Sequence, residues 1–389
     1  MSGVVRASRV VPFPRVTVAH AAIIWSVIVP LQLSAQAEPP LRTLRPEFRL
    51  SAEQHNLSAL GSVAEGPDGV LAVPQGQDHQ IRLFSKAGVA LATVGRRGGG
   101  PGEFQSPGRA FWRGDTLWVR DATLNRLSAF DRNGRFLLAL PLPAAFSPDW
   151  RSADGKRLLQ PTLITRNRDG SLSFSASTPT GEGRATTRWL VVVRDDGRPK
   201  PVGVPFPTDA CFKDFENSQV AIPYCARAIS GHHPQNGIVV TATTTMHGTR
   251  PATVHVVAQR STGELIYSRD ISVPVSRVSA DELAEVRRPD QKVPFPAEVR
   301  DFLARTPAPD ARPPFINVTV GPDGSAWFIR SKSIDGHYEY FGLDPAGAPI
   351  GRIRIREDSS LQWASRDVAW VVERDDDGFE TLVRYRIVK

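Results

Sequence analysis

The loudest local signal for chemistry in this chain is VGRRGGGPGEFQSPG, Val94 to Gly108. Bare backbone amides in a glycine-rich turn can cradle a phosphate. The Walker arrangement, however, needs a Lys followed by Ser or Thr, and none follows here. A dinucleotide loop needs a strand before it and a helix opening after it. VALATV (Val89 to Val94) serves as the strand, but SPGRAFWRGD starts no helix. The stretch ERDDDGF, Glu373 to Phe379, offers oxygens to calcium without the spaced ligands and distal Glu of an EF-hand loop, so it reads as a solvated turn. Neither Gly-x-Ser-x-Gly nor His-Glu-x-x-His occurs. The two cysteines, Cys211 and Cys225, would need histidines at ligand spacing to hold zinc. His232 and His233 lie nearby but give no zinc pattern, and a disulfide is expected instead. GHHPQNG itself reads as a loop between strands.

The elements that must position any site come after a leader. Arg6, Arg9 and Arg15 form a basic start, AAIIWSVIVPLQL is a short apolar run, and Ala35-Gln36-Ala37 offers small-x-small cleavage. Residues 1–37 are therefore expected to be a secretory signal peptide. The apolar run is shorter than the roughly 20 residues that span a bilayer, and Pro30 interrupts it. No membrane span is expected after cleavage, and no Cys follows the site to take a lipid. The formal charge is +8, and the leader holds three of the positives, leaving +5. The remaining arginines are scattered, so no nucleic-acid stripe is formed.

The rest of the chain repeats one unit. GSVAEGPDGVLAVPQGQDHQIRLFSKAGVALATVG (Gly61 to Gly95) and INVTVGPDGSAWFIRSKSIDGHYEYFGLDPAGAPIGRI (Ile316 to Ile353) share one order of apolar strands, Asp-Gly turns and small turns. RAFWRGDTLWVRDATLNRLSAFDRNGRFLLAL (Arg109 to Leu140) follows it too. Period-two runs are strands, and Asp-Gly or Asn-Gly tips are hairpin turns. Four antiparallel strands every 40–45 residues or so make a propeller blade. With strands lettered A to D from the axis outward, blade 1 spans about 60–95 and blade 2 about 108–142. Blade 3 starts near Asp149, and blade 4 contains GIVVTATTTMHGTRPATVHVVAQRSTGELIYSRDI. Blade 5 spans about 315–356, and blade 6 starts near Leu361. Blade 6 supplies three strands only. PEFRLS (Pro46 to Ser51) is the natural fourth, closing the ring and removing an open sheet edge. The predicted fold is all-β: one six-bladed propeller domain over residues 38–389.

VPQGQDHQIRLFSKAGVALATVGRRGGGPGEFQSPG resembles the NHL repeat, and VRDATLNRLSAFDRNGRFL in blade 2 resembles it again. The resemblance covers about a fifth of the chain and is architectural elsewhere. It is to exported bacterial six-bladed propellers of the NHL-repeat and TolB-like kind. It implies that His79, at the repeat's His position, braces the B-to-C loop. Asp121, Asn125 and Arg126 read likewise as loop braces. The glycine-rich stretch, residues 95–107, becomes a connector from strand D of blade 1 to strand A of blade 2, with Phe104 packed between blades.

Two insertions break the rhythm. One, about 208–228, carries both cysteines. The other, about 276–312, opens a helix with a capping box at Ser279 and Glu282 and a second helix at Pro296. Both are D-to-A connectors and share a face with the B-to-C loops. That face is expected to hold the ligand through Arg96, Arg97, Asp121, Arg250, Lys332, His337 and Asp376, a mixed set suited to a polar or acidic partner. Calcium-dependent lactonase-type propellers need acidic and amide groups at the axis, where only Glu65 and Asn317 are candidates. The expectation is an exported, monomeric binding module for a protein, peptide or glycan, with no cofactor and no nucleic acid. The alternative is a hydrolase or lyase in the central channel, assisted by calcium or zinc.

Overall fold

A computed structural model describes residues 38–143, 150–179, 186–208, 211–215, 218–287, 296–307 and 309–389. The expected leader, residues 1–37, lies outside the described residues, as does Asp149 at the expected start of blade 3. Six four-stranded antiparallel sheets each run in the order A-B-C-D. The chain is a six-bladed β-propeller.

The inner strands are Ala64–Glu65, Pro107–Arg113, Leu159–Arg166, Ile229–His233, Phe315–Val320 and Ser360–Ala364. Alternating side chains of the blade strands, inner-strand Trp112 and Trp363 among them, fill the space between blades. Three Trp side chains, Trp112, Trp327 and Trp370, are among the largest fully buried ones.

The N-terminal strand closes the ring. It runs Thr43–Ser51, three residues longer than expected, and pairs with Glu380–Val388 from Thr43 opposite Val388 to Ser51 opposite Thr381. Pro46 sits where the register slips, a position that tolerates a missing amide hydrogen. Leu50 is fully buried among Phe84, Trp363 and Trp370, and Phe48 meets Trp370 edge-on at 5.7 Å. Upstream, Arg42 donates to the carbonyl of Ile350 at 3.0 Å, so the same segment also ties down blade 5.

The glycine-rich connector has the wrong polarity for a phosphate. Its carbonyls at Gly99, Gly100 and Glu103 accept from the Arg126 guanidinium, and the Gly100 amide donates to the Glu103 carboxylate at 2.8 Å. Gly95 adopts φ +83°, and a Cβ there would stand 2.3 Å from the Phe104 ring. Phe104 is buried and packs on Phe130 at 5.6 Å.

The insertions form one platform. The first holds a short hairpin, Phe212–Phe215 with Ser218–Ala221, and the Cys211–Cys225 disulfide. The second holds helices α1 (Ala280–Arg287) and α2 (Ala297–Arg305), based on a strand pair Ser276–Arg277 and Ala311–Arg312. The capping box closes as expected: Ser279 N–H donates to Glu282 Oε2 at 2.9 Å and Glu282 N–H to Ser279 Oγ at 3.2 Å. Phe215 meets Phe302 edge-on at 5.7 Å, and the Arg312 guanidinium lies over Tyr224. Arg312 and Lys332 both pair with Glu282. With the capping amide of Ser279 as the largest cause, these contacts hold the Glu282 carboxyl down at about 2.

Candidate axial site

GHHPQNG is not a loop throughout, and this corrects the sequence reading. His232 and His233 end the inner strand of blade 4, and only the residues after them turn toward strand B. Gly231 explains the misreading. A Cβ there would lie 2.3 Å from the carbonyl oxygen of Val318, so glycine is required by close approach of two inner strands, not by a turn. With no side chain at 231, the strands of blades 4 and 5 come together and present the imidazoles to the axis.

The inner strands of five blades surround a cavity of about 310 Å³. Its polar wall includes Ser62, Arg109, Ser230, His232, His233 and Gln362. Its apolar wall includes Ala110, Phe111, Val318, Val320 and Trp363. A second space shares Ser62, Arg109 and Phe111 with the first and adds Arg120, Thr162, Leu163 and Ile164. Several inner strands reach the axis through irregular pairing. Register slips between Pro107 and Ala110, and between Leu361 and Trp363, leave Arg109 and Gln362 out of the ladder. A bulge of this kind re-aims a side chain.

Arg109 donates from Nη1 to Nε2 of His232. A guanidinium has no acceptor atom, so His232 must be neutral with its proton on Nδ1. His233 points Nδ1 at the Gln235 amide, 3.4 Å away, and meets Trp363 edge-on. Burial, then the nearby Arg109 charge, pushes both imidazoles down to about 3. Both rings are half-buried, and Arg109 is exposed to the cavity that all three line. Burial, then Arg120, also lowers the Arg109 guanidinium from its ordinary value. Among the described residues no Asp or Glu lines either space, and neither Arg109 nor Arg120 has an acidic partner. Arg120 buries its Nε–H with no acceptor.

The residues singled out in the sequence lie elsewhere. Glu65, an axial candidate, accepts from Trp370 Nε1 at 2.9 Å and so joins blades 1 and 6. Asn317 is exposed and bonds the neighbouring Val318 amide. His79 braces the connector through its Nδ1 and the carbonyl of Gln105 at 2.7 Å. Asp121 is wholly buried, its carboxylate taking the amides of Gln105, Ser106 and Leu124. Arg96 pairs with Glu103, Lys332 with Glu282, and His337 with the carbonyl of Asp335. Arg97, Arg250 and Asp376 are exposed. All seven fall in or beside D-to-A or B-to-C connections, but no hydrogen bond or ion pair among the described residues joins any two of them. Arg109 stands in the inner-strand stretch RAFW, but it is not one of the acidic or amide groups that a calcium site at the axis would require.

No protein-family model matches the sequence, and no curated protein matches it. Solved structures do. A member of the DUF4221 family from Bacteroides vulgatus is 11% identical, with 89% of this chain and 98% of that one covered and a TM-score of 0.49. A Bacteroides fragilis protein, named as a candidate exported protein, is 12% identical over 90% of this chain and 96% of its own, with a TM-score of 0.45. Virginiamycin B lyase from Staphylococcus aureus is 11% identical over 89% of this chain and 100% of its own, with a TM-score of 0.38. The six four-stranded blades agree with the architecture that the resemblance in blades 1 and 2 implies.

Proposed function

We propose that this chain is an exported recognition module that encloses a small ligand at its axis. The observation that carries the reading is the Arg109–His232–His233 group, set in a cavity with a half-apolar wall. A concave site with few convergent polar groups is the usual form of a ligand pocket, and about 310 Å³ lies at the small end of the range. Export is supported by the basic and apolar start of the sequence and by the Cys211–Cys225 disulfide, which suits an oxidising compartment. Among the described residues no helix is long and apolar enough to cross a membrane. The elaborated face, with its packed insertions, remains a second surface on which a protein, peptide or glycan would be held.

The competing reading is a metal-assisted hydrolase or lyase using the same axis. Among the described residues no three His, Cys, Asp or Glu side chains come together as a metal group. Elemental analysis of the purified protein, followed by a lactone and ester panel with added calcium or zinc, separates the two. Ligand capture without turnover is the expected result. Stoichiometric metal with turnover overturns the binding reading.

A further inference from the structure

The charge at the axis is all of one sign. Arg109 and Arg120 border two spaces that share lining residues and, among the described residues, hold no carboxylate, and the two cavity histidines are neutral. Arg109 is exposed to the cavity and has no acidic partner among the described residues, so its guanidinium stands open to an anion. The guanidinium carries five N–H donors, of which His232 takes one. That contact fixes the orientation of the group and leaves the remaining donors for another acceptor. A planar fork of this kind matches a carboxylate.

We infer that the axial cavity receives a small organic carboxylate, its head on Arg109 and its apolar body against Phe111, Val318 and Trp363. This deepens the recognition reading and rests on it. A carboxylate is favoured over a phosphate by the surroundings: among the described residues Arg109 is the one cation in the main cavity lining, and the neutral imidazoles add hydrogen bonds without charge. The apolar wall would leave a fully hydrated dianion poorly served. His232 acts as a positioning residue here, since it holds the guanidinium and need not touch the ligand.

The test is calorimetric titration of the full mature protein with benzoate, its neutral counterpart benzamide, benzyl alcohol and inorganic phosphate. Benzoate should bind with one-to-one stoichiometry, at least tenfold more tightly than benzamide, and weaken as salt is raised. Arg109→Gln should weaken benzoate at least tenfold, and Arg109→Lys should weaken it less. Arg198→Gln, in an exposed outer turn of blade 3, should leave it unchanged. Equal binding of benzoate and benzamide, tighter binding of phosphate, or undiminished benzoate binding by Arg109→Gln would each overturn the carboxylate assignment. The comparison of benzoate with benzamide uses the unaltered protein, so it stands even if an Arg109 variant fails to fold. Should neutral aromatics bind and be lost in Trp363→Ala while benzoate does not bind, the carboxylate falls and axial recognition stands. Should neither class bind at the axis, both readings fall.

Discussion

Arg109 of blade 2 donates to Nε2 of His232 of blade 4, across the axis of the propeller. A hydrogen bond between residues 123 positions apart fixes the protonation state of the imidazole and the direction of the guanidinium together. It makes the axial group sensitive to acid.

The imidazoles of His232 and His233 are held near 3 in the folded chain, against an ordinary value of 6.5. As pH falls below about 6.5 the unfolded chain takes up protons that the folded chain refuses, so stability falls with pH through that window and on toward 3. Between pH 6.5 and 5 each ring contributes up to about 2 kcal/mol, less for the share of its surface that cavity water solvates. The melting temperature should drop by several degrees over this range, and His233→Gln should remove about half of the drop. Glu282, held near 2, loses its contribution only below about pH 4.5, outside this window. Thermal melts at pH 7, 6 and 5 check this, and identical slopes for parent and variant would refute it.

Gly231→Ala should damage the site more than its size implies. The added methyl would lie 2.3 Å from the Val318 carbonyl oxygen, and backbone cannot swing aside as a side chain can. Separation of the two inner strands should cost about 2–3 kcal/mol, in the range for overpacking a tight core. Gly61→Ala, with no atom within 4 Å of the new methyl, is the matched control. Urea denaturation of the two variants measures the difference.

The N-terminal strand is expected to be a structural closure rather than an ornament. Leu50→Ala removes a fully buried side chain that packs with residues of blades 1 and 6, and should cost about 3 kcal/mol. Leu138→Ala, in the outer strand of blade 2 and 42% exposed, should cost well under half of that. Equal losses in chemical denaturation would mean that the closure contributes no more than surface packing.

Loss of the disulfide should be felt locally. Closing the 14-residue separation between Cys211 and Cys225 contributes roughly 3 kcal/mol by loop entropy. That loop packs on helix α2 through Phe215 and on α1 through Tyr224. Paired Cys→Ser changes should raise amide exchange across 211–228 and in the two helices while the blade strands keep their protection. Global loss of protection would contradict this.

Blades were legible because each strand alternates and each turn carries its glycine, and because the three-stranded end of the chain demanded a fourth strand. His79 and Asp121 were legible as braces because the NHL-like repeat places them at loop corners. The axial group was not. Gly231 looks like a turn residue in sequence, whereas its necessity is the Val318 carbonyl of another blade, 87 residues away. Arg109 and Gln362 reach the axis through slipped registers, which leave no mark on an alternating pattern. Glu65 looked axial because inner-strand acids serve metals in other propellers. Here the indole of Trp370 takes it out of the channel.

The central claim is that the ligand sits at the axis and leaves unchanged. Native mass spectrometry of the protein isolated from its native source tests this most directly. One equivalent of a small molecule should be bound without a covalent bond. It should be recovered chemically intact, and it should be absent from Arg109→Gln and Trp363→Ala proteins that melt normally. Retention of the bound mass by both axial variants, together with its loss on charge reversal at Arg96, Arg97 and Arg250, would place recognition on the outer face and contradict the claim.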